Sequence, residues 1–321
     1  MGTPLHVTVT GAGGFLGTHV VNQLRARGDR VTALADPTVC DVCDSAQVAK
    51  AIGPCDVIVH CAAVVTIDDI VRPEVHAVNV GGTANIIDAA RRLGARLVYI
   101  SSVHALTEAP TGVVMREADS FDPDTVVGGY AKTKAEAAAL VLAADDLKRV
   151  IIHPSGLLGP GDPGSTNLTN LVRRLMSGEL GVVVDGGYDM VDVRDVAAAI
   201  VTACRTGDGC YLTTGDYVTL RQIGRIVTEL VGRRRPTILP TWIARAGAIP
   251  AEWIGKVFGR PPLFTRYSLY TLGSGNRFDS TRARRELLFR PRPVRESLTD
   301  MVADLQDQTR TPSRGATRTA G

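Results

Sequence analysis

The stretch T-G-A-G-G-F-L-G at residues 10–17 decides the fold, because it joins a short apolar run to a helical pattern. Its three glycines, in the spacing G-x-x-G-x-x-G, are Gly11, Gly14 and Gly17. Between a strand and a helix, such glycines turn the chain, let the backbone approach a pyrophosphate and let the helix pack on the sheet. Phosphates bind at the positive helix terminus, here at the backbone amides of Phe15 and Leu16. The motif therefore predicts a dinucleotide site at this turn.

The first 155 residues alternate between short β-branched runs and longer helical patterns. Five runs with the near-continuous hydrophobicity of buried parallel strands are Leu5–Thr10, Arg30–Leu34, Asp56–His60, Leu97–Ser101 and Arg149–His153. The helical patterns between them are Gly14–Arg27, Ser45–Ile52, Val80–Leu93 and Tyr130–Ala144. Strands joined by right-handed crossovers build a doubly wound parallel sheet. We therefore predict an α/β protein in which residues 1–155 form a dinucleotide-binding Rossmann core.

The pattern becomes looser after Pro154. Further α/β units appear around Asp192–Thr206 and Tyr211–Gly232, and the segment Trp242–Leu272 is unusually apolar and carries both tryptophans. Because segments leave the sheet and return to it, we predict that residues 156–307 mix the rest of the core with a smaller C-terminal substrate-binding lobe. The apolar segment would either pack the core of this lobe or line an apolar substrate pocket.

The C-terminal end carries two predicted helices and a tail. Asp279 or Ser280 can cap a short basic helix, and Val294–Gln308 has the pattern of a final amphipathic helix. Residues 308–321 contain three arginines, no acid and almost no apolar residue, which predicts a disordered tail.

Composition argues against several classes of function. The formal net charge is +3, and because the tail supplies three positive charges the body is near neutrality, which argues against a nucleic-acid surface. No apolar run approaches the roughly 18–20 residues of a membrane span. The chain enters an apolar run at Leu5 without a basic region or a cleavage signal, so we expect a cytoplasmic protein. Cys40 and Cys43 have a metal-like spacing, but no second pair completes a zinc site, so we expect reduced thiols and no metal.

The end of the second strand bears on the choice of cofactor. Asp36 lies about 20 residues past the glycines, where an acid bonds the adenosine ribose hydroxyls and repels a 2′-phosphate. It stands one position after the usual site of that acid, which is occupied by Ala35, and it could equally be a solvated turn residue. No arginine or lysine lies between residues 31 and 49 to accept a 2′-phosphate. We predict NAD as the cofactor and leave NADP open.

A candidate catalytic group follows the fourth strand. Tyr130 and Lys134 are four residues apart on an alanine-rich helix, so their side chains share one face. Ser101 and Ser102 end the fourth strand, where the carboxyl edge of the sheet opens onto a cleft. A serine, a tyrosine and a lysine converging there make a general acid–base site. An ammonium and an oxidised nicotinamide ring nearby would lower the tyrosine pKa from about 10 towards working pH.

Together these motifs resemble the extended short-chain dehydrogenase/reductase family, within the NAD-dependent epimerase/dehydratase superfamily. The resemblance covers roughly residues 5–305. It rests on the turn at 10–17, H-C-A-A at 60–63, N-V-G-G-T at 79–83, Ser101-Ser102, Tyr130 to Lys134, and H-P-S-G-L-L-G-P-G-D at 153–162. A homodimer formed through helical faces is common in this family.

The resemblance also implies roles for individual residues. Ser102 would be the catalytic serine, Lys134 would bind the nicotinamide ribose as well, Asp41 and Val42 would lie by the adenine, and two alanines would line the cofactor. The full set of predicted cofactor-binding residues is Gly11, Gly14, Phe15, Leu16, Gly17, Asp36, Asp41, Val42, Ala62, Ala63, Tyr130, Lys134 and Pro154.

The motif at residues 154–162 indicates the branch of the family. Gly156 stands where sugar-nucleotide epimerases and dehydratases commonly have an asparagine. The form P-S-G-x-x-G-P-G-D is more similar to 3β-hydroxysteroid dehydrogenases, sterol-carboxylate decarboxylating dehydrogenases and dihydroflavonol reductases, and residues 262–267, 278–279 and 283–287 resemble the C-terminal lobe of the steroid branch. In two departures from that branch, His153 replaces a usual arginine, and Leu288-Phe289 stands where Gly-Tyr is frequent. The resemblance implies an oxidoreductase that interconverts an alcohol and a ketone on an apolar, ring-containing substrate.

Two other functions stay open. A sugar-nucleotide epimerase or dehydratase would have basic residues in its lobe pocket, whereas an apolar pocket favours the oxidoreductase. A non-catalytic dinucleotide sensor has no need of Ser102, Tyr130 and Lys134 together. His104 is close enough to Ser102 in sequence to approach the substrate oxygen, although a single histidine is more often structural.

Overall fold

A central parallel sheet organises the chain, and helices cover both of its faces. The computed structural model describes residues 3–66, 69–110, 112–163, 166–240, 243 and 266–310. In chain order, the strands are β1 His6–Thr10, β2 Arg30–Leu34, β3 Val57–His60, β4 Arg96–Ile100, β5 Val114–Met115, β6 Arg149–Pro154, β7 Gly156–Leu158, β8 Val182–Val184, β9 Gly187–Asp192, β10 Gly209–Thr213, β11 Asp216–Thr219, β12 Thr237–Leu239 and β13 Arg277–Phe278. The α-helices are α1 Phe15–Ala26, α2 Ser45–Ala51, α3 Pro73–His76, α4 Gly82–Leu93, α5 Gly129–Ala143, α6 Asn167–Ser177, α7 Val193–Ala203, α8 Leu220–Leu230, α9 Arg266–Ser274, α10 Thr281–Glu286 and α11 Val294–Arg310.

The six strands of the central sheet are all parallel and lie in the order β10-β6-β4-β3-β1-β2. The sequence predicts five of them to within a residue or two, because buried parallel strands are near-continuous runs of β-branched and aliphatic residues. Val57–His60, for example, is buried at every position. The predicted doubly wound α/β fold is therefore confirmed.

The sixth strand, β10, comes from chain that has already left the sheet to build the lobe. It pairs with β6 although β8 and β9 of the lobe lie between the two strands in the chain. In the lobe, β9 pairs with β7 in parallel and with β11 antiparallel, β12 pairs with β8, and β13 pairs with β5. These small sheets lie mainly where the sequence shows only a loosened pattern, because all of their strands except the six-residue β9 have only two to four residues, too few to show a clear period.

Apolar side chains fill the space on both faces of the sheet. On one face, a cluster of buried residues joins β1 and β3 to Leu24 of α1 and Ile200 of α7. On the other face, a second cluster joins β4 and β6 to Ile86 of α4 and to Ala137 and Val141 of α5. Alanines on the inner face of α5 let this helix lie close to the sheet. The side chains of its first turns are therefore held near the ends of the strands.

Charged side chains join α7 and α11 where the core meets the lobe. The fully buried carboxylate of Asp192 accepts hydrogen bonds from the backbone and the guanidinium of Arg194. The guanidinium of Arg292 lies 3.6 Å from Asp192 and donates to both carboxylate oxygens of Asp195. Arg194 also contacts Asp300 on α11 at 2.7 Å. Each buried acid at this junction therefore faces an arginine.

The final helix runs to Arg310, two residues beyond its predicted end. The side-chain amide of Gln308 donates to the Asp304 carboxylate one turn earlier at 2.9 Å, which stabilises the last turn. The prediction that the disordered tail begins at residue 308 is therefore wrong for 308–310, and residues 311–321 lie outside the described part of the chain.

The apolar segment Trp242–Leu272 lies largely outside the described residues, which resume at residue 266 on α9. The described Leu272 is buried in the lobe core, and its carbonyl would meet a side chain at Gly186. Further on, the backbone N–H of Thr281 donates to the Asp279 carboxylate at 2.9 Å, while Ser280 holds the N-cap position of the short basic helix α10 without a side-chain capping bond. Among the described residues, no helix is both long and apolar enough to cross a bilayer.

Candidate active site

The glycine turn between β1 and α1 is as tight as its spacing predicts. Gly11 has a φ of +65°, and a Cβ atom there would come within 2.6 Å of the Ala62 backbone nitrogen. A Cβ atom on Gly17 would lie 2.1 Å from the carbonyl oxygen of Gly11. Both positions therefore require glycine. At Gly14, by contrast, a Cβ atom would meet only the Gly11 carbonyl among the described atoms, at 3.3 Å.

Helix α1 begins at this turn with backbone amides that a ligand can use. Its N-cap is Gly14, which has no side chain to cap the helix, so the first amides have no partner within the helix. The side chains of Phe15 and Leu16 are buried in the core, which holds this helix end in place. A turn without side chains, in front of a positive helix terminus, fits a pyrophosphate. These residues would hold the phosphates of a nicotinamide dinucleotide.

Asp36 follows β2 and closes a turn. Its carboxylate accepts the backbone N–H of Thr38 at 2.8 Å, and the hydrogen bonds from Thr38 lower the pKa of Asp36. Ala35, at the usual position of the acid, lies against Gly13, where a Cβ atom would come 3.0 Å from the Ala35 carbonyl. The turn role considered for Asp36 is thus present in the structure. Its role in binding the ribose stays a prediction.

The loop of Asp41 and Val42 is tied to two helices. The backbone N–H of Asp41 donates to the side chain of Gln47 on α2 at 3.1 Å. The side chain of Asn85 on α4 donates to the Val42 carbonyl at 2.8 Å. The Val42 side chain is so close to α4 that a Cβ atom on Gly82 would approach it to 2.7 Å. A loop held in this way suits the adenine contact that the resemblance implies. That contact stays a prediction.

A buried hydrogen-bond chain starts at the glycine turn and links side chains for which the sequence predicts no role. The ring of His60, at the end of β3, lies 2.7 Å from the Thr10 hydroxyl through Nδ1 and 3.3 Å from the Thr83 hydroxyl through Nε2. Because Thr83 donates to the Asn79 carbonyl, it accepts from Nε2, and Thr10 donates to Nδ1. The N–H of Ala62 donates to Thr10 in turn, at 3.4 Å. Burial lowers the pKa of His60 to about 3, which keeps the ring neutral as this chain requires.

The same chain continues through Asn79 to the helix of Tyr130. The Asn79 amide donates to the Thr133 hydroxyl at 3.0 Å, and Thr133 donates to the Tyr130 carbonyl at 2.8 Å. Asn79 lies in the π-helical turn Ala77–Gly81 between α3 and α4, and such turns are frequent at functional sites. The sequence marks Asn79 only through the motif N-V-G-G-T. A polar residue in a helical pattern does not indicate that its partner is Thr133, 54 positions away.

Ser102 and Tyr130 lie together at the carboxyl edge of the sheet. Ser102 follows β4, is buried, and accepts the backbone N–H of His104 with its hydroxyl oxygen at 3.2 Å. Tyr130 lies in the first turn of α5 and is 9% exposed. Burial raises the pKa of Tyr130 to about 12, and the neighbouring Ser102 side chain opposes that rise. His104 itself is exposed, and its ring centre lies 6.4 Å from that of Tyr130.

Lys134 lies one turn further along α5 and reaches the end of β4. Its ammonium donates to the Ile100 carbonyl at 2.6 Å and lies 4.8 Å from the centre of the Tyr99 ring. Because these partners are a carbonyl and a ring rather than a carboxylate, burial lowers the pKa of Lys134 to about 7. The expectation that the pKa of Tyr130 is lowered does not hold for the protein chain by itself, since burial dominates. The expected lowering depends on the positive nicotinamide ring as well as on the lysine.

The other predicted cofactor residues lie at neighbouring strand ends. Ala62 and Ala63 follow β3, and the backbone of Ala62 faces Gly11. Pro154 is buried at the end of β6. Because β3, β4 and β6 are adjacent and parallel, these residues and Ser102 share one edge of the sheet with the glycine turn. Their contacts with a cofactor stay predictions.

The cysteines are all free thiols. Cys40 is buried and Cys43 is exposed. Burial raises the pKa of the Cys61 thiol, next to Ala62, to about 12, so this thiol is protonated and unreactive at neutral pH. In the part of the chain that the structure describes, no group of three or more histidine, cysteine or acidic side chains could hold a metal ion.

A cavity of about 600 Å³ lies in the lobe beside β9 and β11. The charged side chains in its lining are Asp189, Asp216, Arg225, Arg277 and Arg295. The guanidinium of Arg277 stacks on the ring of Tyr217, 3.5 Å from its centre. Ser102, Tyr130 and Lys134 do not line this cavity. The described part of the lobe therefore offers a cavity with charged walls, apart from the acid–base group.

The fold and the group at its carboxyl edge define a class of protein. The chain belongs to the NAD-dependent epimerase/dehydratase family, whose model matches residues 7–211. It is 32% identical to sterol demethylase protein B of Methylococcus capsulatus over 319 residues, which cover 92% of this chain and 96% of that protein. It is 28% identical to the 3β-hydroxysteroid dehydrogenase/Δ5→4-isomerase of Mycobacterium tuberculosis, over 89% of this chain and 86% of that protein.

Solved structures share the fold. The crystal structure of gox2253 matches with a TM-score of 0.79 and 29% identity, over 95% of this chain and 99% of that one. The Bordetella bronchiseptica enzyme WbmH in complex with NAD⁺ matches with a TM-score of 0.74 and 22% identity, over 95% and 99% of the two chains, which shows the fold alone. The chain is thus an NAD(P)-dependent oxidoreductase of the extended short-chain dehydrogenase/reductase type, in a family that uses NAD.

Proposed function

We propose that this protein interconverts an alcohol and a ketone on an apolar, ring-containing molecule. The observation that carries the proposal is the buried Ser102 side chain, close enough to Tyr130 to oppose the rise in its pKa, with Lys134 one helical turn further along α5. All three side chains are buried at the edge of the sheet that also carries the glycine turn. Groups that can hold and protonate one oxygen, beside a site that suits a hydride carrier, support an oxidoreductase.

Two features support an apolar substrate. Gly156 replaces the asparagine common in sugar-nucleotide enzymes, and a Cβ atom there would come 3.2 Å from the Asp189 carbonyl, so the position is too tight for an asparagine without movement of its neighbour. The similar proteins named above are a sterol demethylase component and a 3β-hydroxysteroid dehydrogenase. A steroid-like ring system binds mainly by burial of its apolar surface, at about 25 cal/mol per Å².

The three side chains have distinct roles in this reaction. In the reducing direction, Tyr130 donates its phenol proton to the substrate carbonyl oxygen, and Ser102 donates a hydrogen bond to the same oxygen. A bound nicotinamide dinucleotide supplies or accepts the hydride at the carbon of that carbonyl. In the oxidising direction, the Tyr130 phenolate accepts the proton. Lys134 stabilises this phenolate by its positive charge and would bond the nicotinamide ribose.

A sugar-nucleotide epimerase or dehydratase is the second candidate, and the lobe cavity supports it. Arg225 and Arg277 could pair with a diphosphate, whose oxygens suit the forked guanidinium group, and Arg295 could join them by giving up its ion pair with Glu229. An apolar substrate has no need of these charges. The acid–base group does not line this cavity, however, and Gly156 lacks the expected amide, so the oxidoreductase remains the first proposal.

A substrate panel tests the two candidates directly. NADH and NADPH oxidation should be measured against steroid, flavonoid, polyketide and aliphatic ketones, and NAD⁺ reduction against the matching alcohols. The same preparation should be incubated with UDP-sugars and the products separated. We expect turnover of at least one ring ketone and no conversion of UDP-sugars. Conversion of a UDP-sugar without turnover of any ring ketone would favour the second candidate.

A further inference from the structure

His153 occupies the position where the family usually has an arginine, directly before Pro154. We propose that His153 is a positioning residue, which holds the Ser102 turn in place through a hydrogen bond from its imidazole to the Ser102 carbonyl. The inference rests on the proposed role of Ser102 at the substrate oxygen. It gives this departure from the family pattern a function in the chemistry of the same site.

The hydrogen bond determines the protonation of the imidazole ring. His153 Nδ1 lies 3.1 Å from the Ser102 carbonyl oxygen, and the histidine side chain is completely buried. A carbonyl oxygen can only accept, so Nδ1 carries the proton and donates it. Nε2 then acts as an acceptor, and it has no hydrogen-bond partner among the described residues. The bond to Ser102 is therefore the polar contact that orients the ring.

The backbone ladder between β4 and β6 cannot perform this task. The N–H of Ser101 donates to the Ile152 carbonyl at 2.8 Å. The next backbone donor on β6 would be residue 154, but Pro154 has no N–H. Beyond this point the two strands have no backbone bond with which to fix Ser102. The His153 side chain replaces that bond one residue further along.

The Ser102 carbonyl accepts two hydrogen bonds with different consequences. The Ala105 N–H donates to it at 3.1 Å within the short helical turn Val103–Ala105, which sets the local shape of the turn. The bond from His153 comes from the neighbouring strand and sets the position of that turn relative to the sheet. Since the hydroxyl and the carbonyl belong to the same residue, a displaced carbonyl displaces the hydroxyl from the substrate oxygen.

The ring is held by packing and is neutral. Phe121 stacks on it, with ring centres 5.2 Å apart and planes at 26°. Burial lowers the pKa of His153 to about 4, so at neutral pH the ring adds no charge to the site. An arginine would place a permanent positive charge there, near Lys134. A neutral donor holds Ser102 without opposing the charged form of the lysine.

A double-mutant cycle with Ser102 tests the inference. Since one well-placed hydrogen bond is lost, His153→Leu should lower kcat about tenfold, with the dissociation constant of NADH unchanged. His153→Asn should recover most of the loss, because its amide N–H lies where Nδ1 lies. In the Ser102→Ala background, His153→Leu should change kcat by less than about twofold, since no hydroxyl is left to position. Phe121→Leu is the matched comparison, because it removes the stacked ring and keeps the donor, so it should lower kcat by clearly less than His153→Leu does.

The variants of the cycle distinguish failure of the positioning role of His153 from failure of the proposed function. Equal losses from His153→Leu with and without the Ser102 hydroxyl would overturn the positioning role and leave the proposed function intact. Wild-type kcat in Ser102→Ala alone would overturn the serine role in the proposed function. If His153→Leu does not fold, His153→Gln replaces it, because its amide lies one bond too far to meet the carbonyl in the same geometry. A His153→Gln enzyme with the kcat of His153→Asn would contradict the inference.

Discussion

The buried ionisable side chains at the junction between the core and the lobe have pKa values shifted towards the charged form, whereas the buried lysine at the active-site edge has a pKa shifted towards the neutral form. At the junction, burial disfavours the ionised form of Asp192, but hydrogen bonds from Arg194 hold its pKa below the usual value. The pKa of Arg292 is raised by its hydrogen bonds with Asp195. At the active-site edge, Lys134 is just as buried but contacts a carbonyl and an aromatic ring, and its pKa falls to about 7.

The difference separates charges that hold the structure from charges that serve the chemistry. A buried acid that faces an arginine stays ionised over a wide range of pH, and removal of one partner leaves an uncompensated charge. A buried lysine without a carboxylate lies close to its neutral form, so that one new charge nearby changes its proton occupancy. We therefore expect substitutions at the junction to lower stability, and substitutions at the edge to lower activity or to change its dependence on pH.

The largest expected change in stability comes from Asp192→Ala. This substitution leaves Arg194 and Arg292 without their shared buried partner and removes the side-chain cap of α7, so the free energy of unfolding should fall by about 3 kcal/mol or more. The matched control is Asp300→Ala. It removes a more exposed partner of Arg194, and should lower the free energy of unfolding by less than about 1 kcal/mol. Denaturant titration measures both, and equal losses would contradict the comparison.

Lys134 should make stability depend on pH. Its pKa is lowered from 10.5 to about 7 on folding, so between these values the unfolded chain binds more protons at this residue. The free energy of unfolding should therefore rise with pH in that range, by at most about 1.4 kcal/mol per pH unit. Relative to Lys134→Met, the wild type should gain stability between pH 7 and pH 9 in denaturant titrations. Lys132→Met, on the same helix, is the control and should parallel the wild type. Parallel curves for Lys134→Met and wild type would show that this lysine is charged in the folded state.

Asp36 is expected to have the smallest effect, on cofactor choice alone. Its carboxylate at the end of β2 should repel a 2′-phosphate, so NADH should bind about tenfold more tightly than NADPH, and Asp36→Ala should reduce this ratio. Asp44→Ala removes another nearby carboxylate, one that caps α2, and should leave the ratio unchanged. Fluorescence titration with both dinucleotides measures the ratio without a substrate. Tighter binding of NADPH by the wild type would show that Asp36 does not select against the 2′-phosphate.

The core and the grouping of Ser102, Tyr130 and Lys134 could be predicted because their signals are local, whereas the acid–base role of the three stays a prediction. Each buried strand is a continuous apolar run, the glycine turn depends on the spacing of residues 10–17, and Tyr130 and Lys134 share a face through their separation of four. Between β7 and β13 the sequence indicates the α/β units that contain α7 and α8, but most of the lobe strands are too short to show a period and pair across loops. The apolar substrate pocket expected from Trp242–Leu272 lies mostly outside the described residues.

Contacts between distant residues could not be predicted. The bond between His60 and Thr83 spans 23 residues, and the one between His153 and Ser102 spans 51. The position of the Lys134 ammonium on the Ile100 carbonyl depends on how closely α5 approaches the sheet, which alanines on the inner face allow. Such distances depend on the packing of the whole core, so they cannot be inferred from a periodic sequence pattern.

Turnover by Tyr130→Phe tests the central claim most directly. The substitution removes the phenol hydroxyl and keeps the buried ring, so kcat with the best substrate of the panel should fall by about 10²–10⁴-fold, while the dissociation constant of NADH stays the same. Tyr211→Phe is the matched control, because it removes another buried tyrosine hydroxyl, one that contacts Glu286 away from the site. We predict that kcat falls in Tyr130→Phe and stays at the wild-type value in Tyr211→Phe. A Tyr130→Phe enzyme within about threefold of wild type across pH 6–9 would contradict the account, since general acid–base catalysis by the phenol should exceed that factor.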